Sequence, residues 1–117
     1  MKKADILLVD DELVFTTNMS RLLTNRGYQV TTVKNGEEAM AALKEKSFDV
    51  MVLDLKMPVM DGITTLEKMK ALNVLTEVLI LTGHGSMDTA FQAIEMGAYD
   101  YVTKPCEIAE LVRVSGH

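Results

Sequence analysis

Short apolar runs alternate with helix-like segments along the chain, and this alternation constrains the fold more than any other feature. The runs have the length and β-branched content of strands, and the segments after them carry apolar residues at helical spacing. This pattern is typical of an α/β fold with a parallel sheet and right-handed crossovers. The predicted strands are Ile6–Val9, Gln29–Val33, Val50–Leu53, Val78–Leu81 and Tyr99–Val102. The predicted helices are Leu13–Asn25, Gly36–Lys46, Gly62–Leu72, Met87–Met96 and Glu107–Val114.

Turn and cap residues support these boundaries. Gly27 and Gly97 follow the first and fourth predicted helices, where a left-handed residue commonly ends a helix. Asn35 and Asp61 stand at the N-cap positions of the second and third helices. Three of the strands are continuous apolar runs, as expected for a parallel sheet covered on both faces. Five strands in 117 residues favour a doubly wound, flavodoxin-like (βα)5 sheet with the strand order 2-1-3-4-5.

Composition and charge exclude several classes of protein. A length of 117 residues with 48% hydrophobic residues fits one domain with a sizeable core. A net charge of −5 and an aromatic content of 5% disfavour direct nucleic-acid binding by this segment. The apolar runs are too short to span a membrane, and the first residues do not form a signal peptide, so we predict a cytoplasmic location. The single cysteine, Cys106, excludes an internal disulfide.

Charged residues follow three of the predicted strands at the point where each strand ends. Asp10 and Asp11 follow the first strand, Asp54 follows the third, and Lys104 follows the fifth. In the order 2-1-3-4-5 the first and third strands are neighbours, and their carboxyl ends form the ligand crevice. Crowded carboxylates repel one another and therefore need a cation such as Mg²⁺. A lysine beside them indicates a site for a transferable anion, most economically a phosphoryl group.

At these residues the chain resembles a known family, the receiver domains of bacterial two-component response regulators. One acidic pair would be a weak signal, but four signals in the right order and on the right elements are highly specific. The resemblance extends from Asp5 to about Val114 and implies the same flavodoxin-like fold. The four matching runs are Leu8–Glu12, Asp54–Gly62, Leu81–His84 and Asp100–Pro105.

The resemblance implies a phosphorylation site built around Asp54. Asp54 would attack the phosphorus atom and become an aspartyl phosphate, which is nucleophilic catalysis by a carboxylate. Asp11 would bind Mg²⁺ directly, Asp10 would help to hold it through water, and the backbone carbonyl of Lys56 would complete the protein ligands. Lys104 would pair with the phosphoryl oxygens.

The same resemblance implies a switch that carries the charge of the phosphoryl group to the surface. Thr82 would donate its hydroxyl to the phosphoryl oxygens, and Tyr101 would rotate inward as Thr82 moves. The exposed face made by the fourth helix, the fifth strand and the fifth helix would change as a result. The side chains of Lys56 and His84 are candidates for tuning the reaction, and an exposed loop histidine is an equal alternative for His84. The family pattern also implies a cis peptide bond before Pro105.

The resulting functional prediction is a phosphorylation-controlled signalling switch. It would accept phosphate from a histidine kinase or a histidine phosphotransfer protein and would catalyse only its own phosphorylation and dephosphorylation. It would regulate an output domain or a target protein, and a homodimer through the face of helix 4, strand 5 and helix 5 is compatible with this role. We expect residues 1–117 to be a single receiver domain without its output domain, because the last predicted helix is short.

Other functions are compatible with parts of the sequence. A phosphatase of the haloacid dehalogenase type also uses a nucleophilic aspartate, but it needs a second acid where this chain has Lys56. A flavodoxin-like carrier of FMN would suffer repulsion between its phosphate and the acids at Asp10 and Asp11. A receiver-like module that binds partners without phosphorylation is the closest alternative. Read singly, Asp10 and Asp11 also suit a helix N-terminus, and Lys104 also suits a solvated position.

Overall fold

Strands and helices alternate along the described part of the chain. The computed structural model describes residues 3–55, 62–72, 75–83 and 87–116. Its strands are β1 (Asp5–Val9), β2 (Gln29–Val33), β3 (Val50–Asp54), β4 (Glu77–Thr82) and β5 (Asp100–Thr103). Its helices are α1 (Leu13–Asn25), α2 (Gly36–Glu45), α3 (Gly62–Leu72), α4 (Met87–Glu95) and α5 (Ile108–Ser115). No boundary differs from its predicted position by more than one residue.

The five strands form one parallel sheet in the order β2-β1-β3-β4-β5. The pairing register places Val9 beside Leu53, and Asp54 beside Leu81. Strands β1 and β3 are therefore neighbours in the middle of the sheet, although α1, β2 and α2 separate them in sequence. The predicted flavodoxin-like (βα)5 fold and its strand order are confirmed.

Both faces of the sheet are covered by helices, because the side chains of each strand alternate between two cores. One core lies between the sheet and helices α1 and α5, and the other lies between the sheet and helices α2, α3 and α4. Residues of the central strands that are almost completely buried include Leu7, Leu8, Val9, Met51, Leu53, Leu79, Ile80 and Leu81. Within the described ranges no helix combines the length and hydropathy that a membrane span requires.

Cap residues begin and end helices where the sequence predicts. Gly27 and Gly97 adopt positive φ angles of 99° and 112° shortly after α1 and α4. Asn35 caps α2, because its side chain accepts a hydrogen bond from the backbone N–H of Glu38 at 2.9 Å. The cap predicted at Asp61 lies outside the described residues.

The first turn of α3 approaches the end of β3 so closely that only glycine fits there. The N–H of Gly62 donates a hydrogen bond to the carbonyl oxygen of Leu55 at 3.2 Å. A β-carbon at Gly62 would lie 2.8 Å from the α-carbon of Leu55 and 3.0 Å from the carbonyl oxygen of Asp54. Both are backbone atoms, so they cannot yield without displacing the strand end. Gly62 therefore sets the distance between α3 and the carboxyl end of β3.

We expect Gly62→Ala to destabilise the fold by roughly 1–3 kcal/mol, because the added methyl group would overlap the backbone at the end of β3. Chemical denaturation followed by circular dichroism measures the free energy of unfolding. Gly83→Ala is the matched control, since a β-carbon at Gly83 would meet no atom of the described residues within 4 Å. The control should change the free energy of unfolding by less than about 0.5 kcal/mol. Equal losses in the two variants would contradict the close approach at Gly62.

Candidate functional site

Backbone hydrogen bonds hold the ends of β1 and β5 by continuing the parallel ladder beyond the strands. The N–H of Asp10 donates to the carbonyl oxygen of Val33 at 3.1 Å, and the N–H of Lys104 donates to that of Thr82 at 2.8 Å. Asp54 is itself the last residue of β3. Because the carboxyl ends of parallel strands meet at one edge, Asp10, Asp54 and Lys104 lie beside the switch point between β1 and β3.

Three carboxylates lie together at this edge. Oxygen atoms of Asp10, Glu12 and Asp54 all lie within 4.8 Å of one another. Asp10 and Asp54 are buried, with 2% and 8% of their surfaces exposed, whereas Glu12 is exposed to solvent. Oδ1 of Asp10 also accepts a hydrogen bond from the N–H of Glu12 at 2.9 Å, which orders the turn into α1. Asp11, predicted as a direct metal ligand, is exposed and lies outside this group, so its role stays a prediction.

The ammonium group of Lys104 lies among these carboxylates. Its Nζ atom is 2.5 Å from Oδ2 of Asp10 and 3.6 Å from Oδ2 of Asp54, and it donates a hydrogen bond to Oε1 of Glu12. Only 15% of the Lys104 side chain is exposed. The ring of Phe15 also contacts the ammonium, with its centroid 4.7 Å from Nζ. Lys104 therefore offsets part of the negative charge that the three acids concentrate.

Opposing effects act on the pKa of Lys104. Burial disfavours the charged ammonium and by itself lowers the pKa. The ion pair with Asp10 and the hydrogen bond to Glu12, together with the negative charge of Asp54, act in the opposite direction. They outweigh burial and raise the pKa of Lys104 well above its usual range. The side chain is consequently a cation throughout the neutral pH range.

Thr82 and Tyr101 lie on neighbouring strands and face the same side of the sheet. Tyr101 pairs with Ile80, and Thr82 lies two residues further along β4, so strand alternation directs both side chains toward the core beneath α4. Thr82 is buried, and its hydroxyl donates to the carbonyl oxygen of Gly83 at 3.3 Å. The half-buried ring of Tyr101 packs edge-on against Phe91 of α4, with the ring centroids 6.2 Å apart. The two predicted switch residues thus lie between the acidic edge and α4.

Two predicted site residues, Lys56 and His84, lie outside the described residues. The ligand role of the Lys56 carbonyl therefore stays a prediction, as does the tuning role of either side chain. The peptide bond between Lys104 and Pro105 is cis, as the family pattern implies.

Two contacts of Lys104 were not predicted from the sequence, namely those with Glu12 and Phe15. Glu12 directly follows Asp10 and Asp11 after β1, so its position in the sequence could have predicted that its side chain lies at the site. Phe15 carried no such signal, because its contact with Lys104 depends on how α1 packs against the sheet.

The donor atoms at this edge suit a small, hard cation. Mg²⁺ prefers oxygen ligands, usually takes one or two carboxylates, and completes its shell with water and phosphate oxygens. Asp10 and Asp54 supply buried carboxylates, and Glu12 supplies an exposed one. The residues present therefore fit the ion that the sequence predicts.

Relatives match this chain over almost all of its length. A family model described as response regulator receiver domain matches residues 6–115. The transcriptional regulatory protein ZraR of Salmonella typhimurium is 42% identical over 109 residues, which cover 93% of this chain and 25% of that protein. The DNA-binding transcriptional regulator NtrC of the same species is 38% identical over 112 residues, which cover 96% of this chain and 24% of that protein. The chain thus spans about a quarter of the length of these relatives.

Solved structures share the architecture. A response regulator receiver domain protein from Clostridium thermocellum has a TM-score of 0.90 at 34% identity, covering 97% of this chain and 92% of that one. NtrX from Brucella abortus, in complex with ADP, has a TM-score of 0.90 at 31% identity, covering 99% of this chain and 26% of that one. The fold is therefore shared with a chain of similar length and with a segment of a longer chain.

We expect Lys104 to keep its proton above its ordinary pKa of 10.5, because three carboxylates surround the ammonium. The pKa of Lys104 is higher in the folded protein than in the unfolded chain. The protonated side chain therefore stabilises the fold fully below the unfolded-state pKa, and this stabilisation is lost as the pH rises through the folded-state pKa. NMR signals of the lysine ε-carbons, followed from roughly pH 8 to 12, report this protonation. Lys104→Arg identifies the signal by removing it.

Asp10→Asn tests the cause of this shift. Removing one negative charge while keeping the shape of the side chain should lower the pKa of Lys104 relative to the unsubstituted protein. A Lys104 midpoint at or below 10.5 in the unsubstituted protein would contradict the dominance of the carboxylates over burial.

Proposed function

The chain belongs to the family of response regulator receiver domains, and on that premise we propose that it is a phosphorylation-controlled switch with Asp54 as the phosphoryl acceptor. The observation that carries this proposal is the placement of Asp54. Its buried carboxylate ends β3, lies 3.6 Å from the ammonium of Lys104, and adjoins the carboxylates of Asp10 and Glu12. A carboxylate nucleophile, an adjacent cation and a set of metal ligands are the parts that phosphoryl transfer requires.

The proposed donor is a phosphohistidine of a histidine kinase or a histidine phosphotransfer protein. A carboxylate oxygen of Asp54 attacks the phosphorus, and a P–O bond forms as the P–N bond breaks. The electron pair of the broken bond stays with the imidazole nitrogen. Lys104 offsets the negative charge of the phosphoryl oxygens. In the later hydrolysis, the oxygen of water forms a bond to the phosphorus, the P–O bond to Asp54 breaks, and inorganic phosphate leaves, which restores the carboxylate. The domain would thus catalyse only its own phosphorylation and dephosphorylation.

The proposed cofactor is Mg²⁺, and the acidic edge is its proposed site. Asp10 and Asp54 would hold the ion, and Glu12 lies close enough to take part. The family resemblance adds Asp11 and the backbone carbonyl of Lys56 to this set. When bound, the ion would offset charge on the phosphoryl oxygens and so lower the repulsion between donor and acceptor. Lys104, held among the same acids, would share that task from the side of β5.

The proposed switch runs from Thr82 to the face of α4, β5 and α5. The hydroxyl of Thr82 would turn from the carbonyl of Gly83 to the new phosphoryl oxygens, and Tyr101 would follow. This movement would alter the edge-on contact between Tyr101 and Phe91. Phe91 and Tyr99 are 50% and 58% exposed, so the face already presents apolar area that a partner or a second copy of the chain would read.

The proposed readers of this face are an output domain or a separate target protein. The relatives ZraR and NtrC are named as transcriptional regulators, and the chain spans about a quarter of their length. We therefore propose that the output controlled by this domain is transcription. The cytoplasmic location stays a prediction from the sequence.

Incubation with acetyl phosphate and Mg²⁺ should add the mass of one phosphoryl group to the chain, because Asp54 is the buried nucleophile at the acidic edge. Intact-mass spectrometry measures the gain. Asp54→Asn should abolish it, and so should removal of Mg²⁺ by a chelator. The matched control is Asp49→Asn, an exposed aspartate at the opposite edge of the sheet, which should leave the gain unchanged.

A folded protein that binds Mg²⁺ but gains no mass would contradict this proposal. If beryllofluoride, a mimic of the phosphoryl group, also caused no change in its amide NMR spectrum, the domain would act as a receiver-like module without phosphorylation.

Thr82→Ala should separate phosphorylation from switching. Asp54 should still gain a phosphoryl group, whereas the beryllofluoride-induced amide shifts of Phe91 and Tyr101 should shrink, because the hydroxyl that links the two sites is lost. Thr103→Ala is the matched control, since Thr103 pairs with Thr82 in the sheet but is exposed. Full-sized shifts in Thr82→Ala would contradict the proposed link.

A further inference from the structure

The ammonium of Lys104 lies over an aromatic ring, a contact that phosphoryl transfer does not itself require. The centroid of the Phe15 ring is 4.7 Å from Nζ of Lys104. Phe15 belongs to the first turn of α1, and it is half-buried against the core that α1 and α5 share with the sheet. Its remaining surface lines a cavity of about 410 Å³ together with Glu12, Gly83, Lys104 and Pro105. Phe15 is therefore partly a core residue and partly a wall of the site.

The ring constrains the ammonium in a different way from the carboxylates. An aromatic face attracts a cation electrostatically without accepting one of its N–H hydrogen bonds in full. The three N–H groups of Lys104 thus remain available for Asp10, Glu12 and Asp54, or for phosphoryl oxygens on Asp54. A further carboxylate in place of the ring would compete with the phosphoryl group for the same donors. Phe15 can restrict the position of the ammonium without this competition.

We propose that Phe15 is a positioning residue for phosphoryl acceptance, acting through Lys104. The ring holds the long, flexible lysine side chain with its ammonium beside Asp54, so less freedom is lost when the phosphoryl group arrives. This inference rests on the proposed function of Asp54. On this inference, the first turn of α1 contributes a side chain to the site in addition to the acids that follow β1.

The fold provides a matched comparison at the opposite edge of the sheet. Nζ of Lys46 lies 5.3 Å from the ring centroid of Phe48, just before β3 begins. Asp54 lies at the other end of the same strand. Phe48→Leu therefore removes a ring and a lysine–ring contact of the same kind, but away from Asp54. Because Phe48 is buried in the core beneath α2 and α3, the thermal stability of this variant is measured beside its binding.

The test compares Phe15→Leu, Phe15→Tyr and Phe48→Leu with the unsubstituted protein. Phe15→Leu should weaken beryllofluoride binding in saturating Mg²⁺ by roughly threefold to tenfold and slow phosphorylation by acetyl phosphate to a similar extent. Its affinity for Mg²⁺ alone should stay within about twofold, because the ring is not a metal ligand. Phe15→Tyr keeps the aromatic face and should restore both values. Phe48→Leu should leave all three measurements unchanged.

A second measurement does not depend on activity, and its first part needs no variant. In the unsubstituted protein, the ring of Phe15 should shift the NMR signals of the Lys104 ε-methylene protons upfield. The shift should persist in Phe15→Tyr and disappear in Phe15→Leu. Thermal unfolding of each variant measures how much of any loss comes from stability.

Three results would overturn the inference. The first is an unsubstituted protein whose Lys104 ε-protons show no ring-current shift. The second is Phe15→Leu with unchanged or tighter beryllofluoride binding. The third is an equal loss of binding in Phe48→Leu when thermal unfolding shows that this variant is folded at the assay temperature. If the unsubstituted protein itself gains no phosphoryl group on Asp54, the proposed function fails. If it does gain one and Phe15→Leu behaves identically, only the inference about Phe15 fails.

Discussion

Repulsion between carboxylates that share one edge of the sheet is the constraint on which the rest of this structure depends. Asp10 and Asp54 are both buried, and an oxygen of each lies within 4.8 Å of the other and of Glu12. Burial and like charge both disfavour such an arrangement, so a compensating cation is needed. Within the described residues that cation is Lys104, whose ammonium contacts all three acids. The position of β5 therefore matters for the stability of this acidic cluster, because β5 places Lys104 beside the three carboxylates.

The compensation is long-range, and this links assembly of the site to completion of the fold. Glu12 and Lys104 are 92 residues apart in sequence, yet they share a hydrogen bond. The strand order places β1 and β3 side by side, and it places β5 next to β4, from where Lys104 can contact the acids at the ends of β1 and β3. Among the described residues, the elements next to β1 and β3 in sequence supply no cation that contacts these acids. The compensation that the structure describes therefore depends on the order of strands in the whole sheet.

The fold was predictable because local and long-range signals agree at particular residues. Gly27, Gly97 and Asn35 mark helix ends by backbone chemistry, and the apolar runs in β1, β3 and β4 match burial on both faces. The convergence of Asp10, Asp54 and Lys104 followed from strand order alone. Strand order did not predict which of the neighbouring acids Asp11 and Glu12 lies beside Lys104, because the turn into α1 determines which side chain faces the lysine. The bond from the N–H of Glu12 to Oδ1 of Asp10 is part of that turn. Aspartate commonly makes such a bond two residues along the chain, but this tendency does not specify which neighbouring acid then faces Lys104.

The hydrogen bond from the N–H of Gly62 to the carbonyl oxygen of Leu55 joins the two ends of the segment that follows β3. Both ends are anchored, one to the sheet through β3 and the other to the first turn of α3. The end of β3 and the start of α3 are therefore held at a fixed separation, since a single methyl group at Gly62 would already overlap the backbone of Leu55. A displacement of α3 along the sheet would consequently move the strand end that carries Asp54, so two elements together locate this carboxylate.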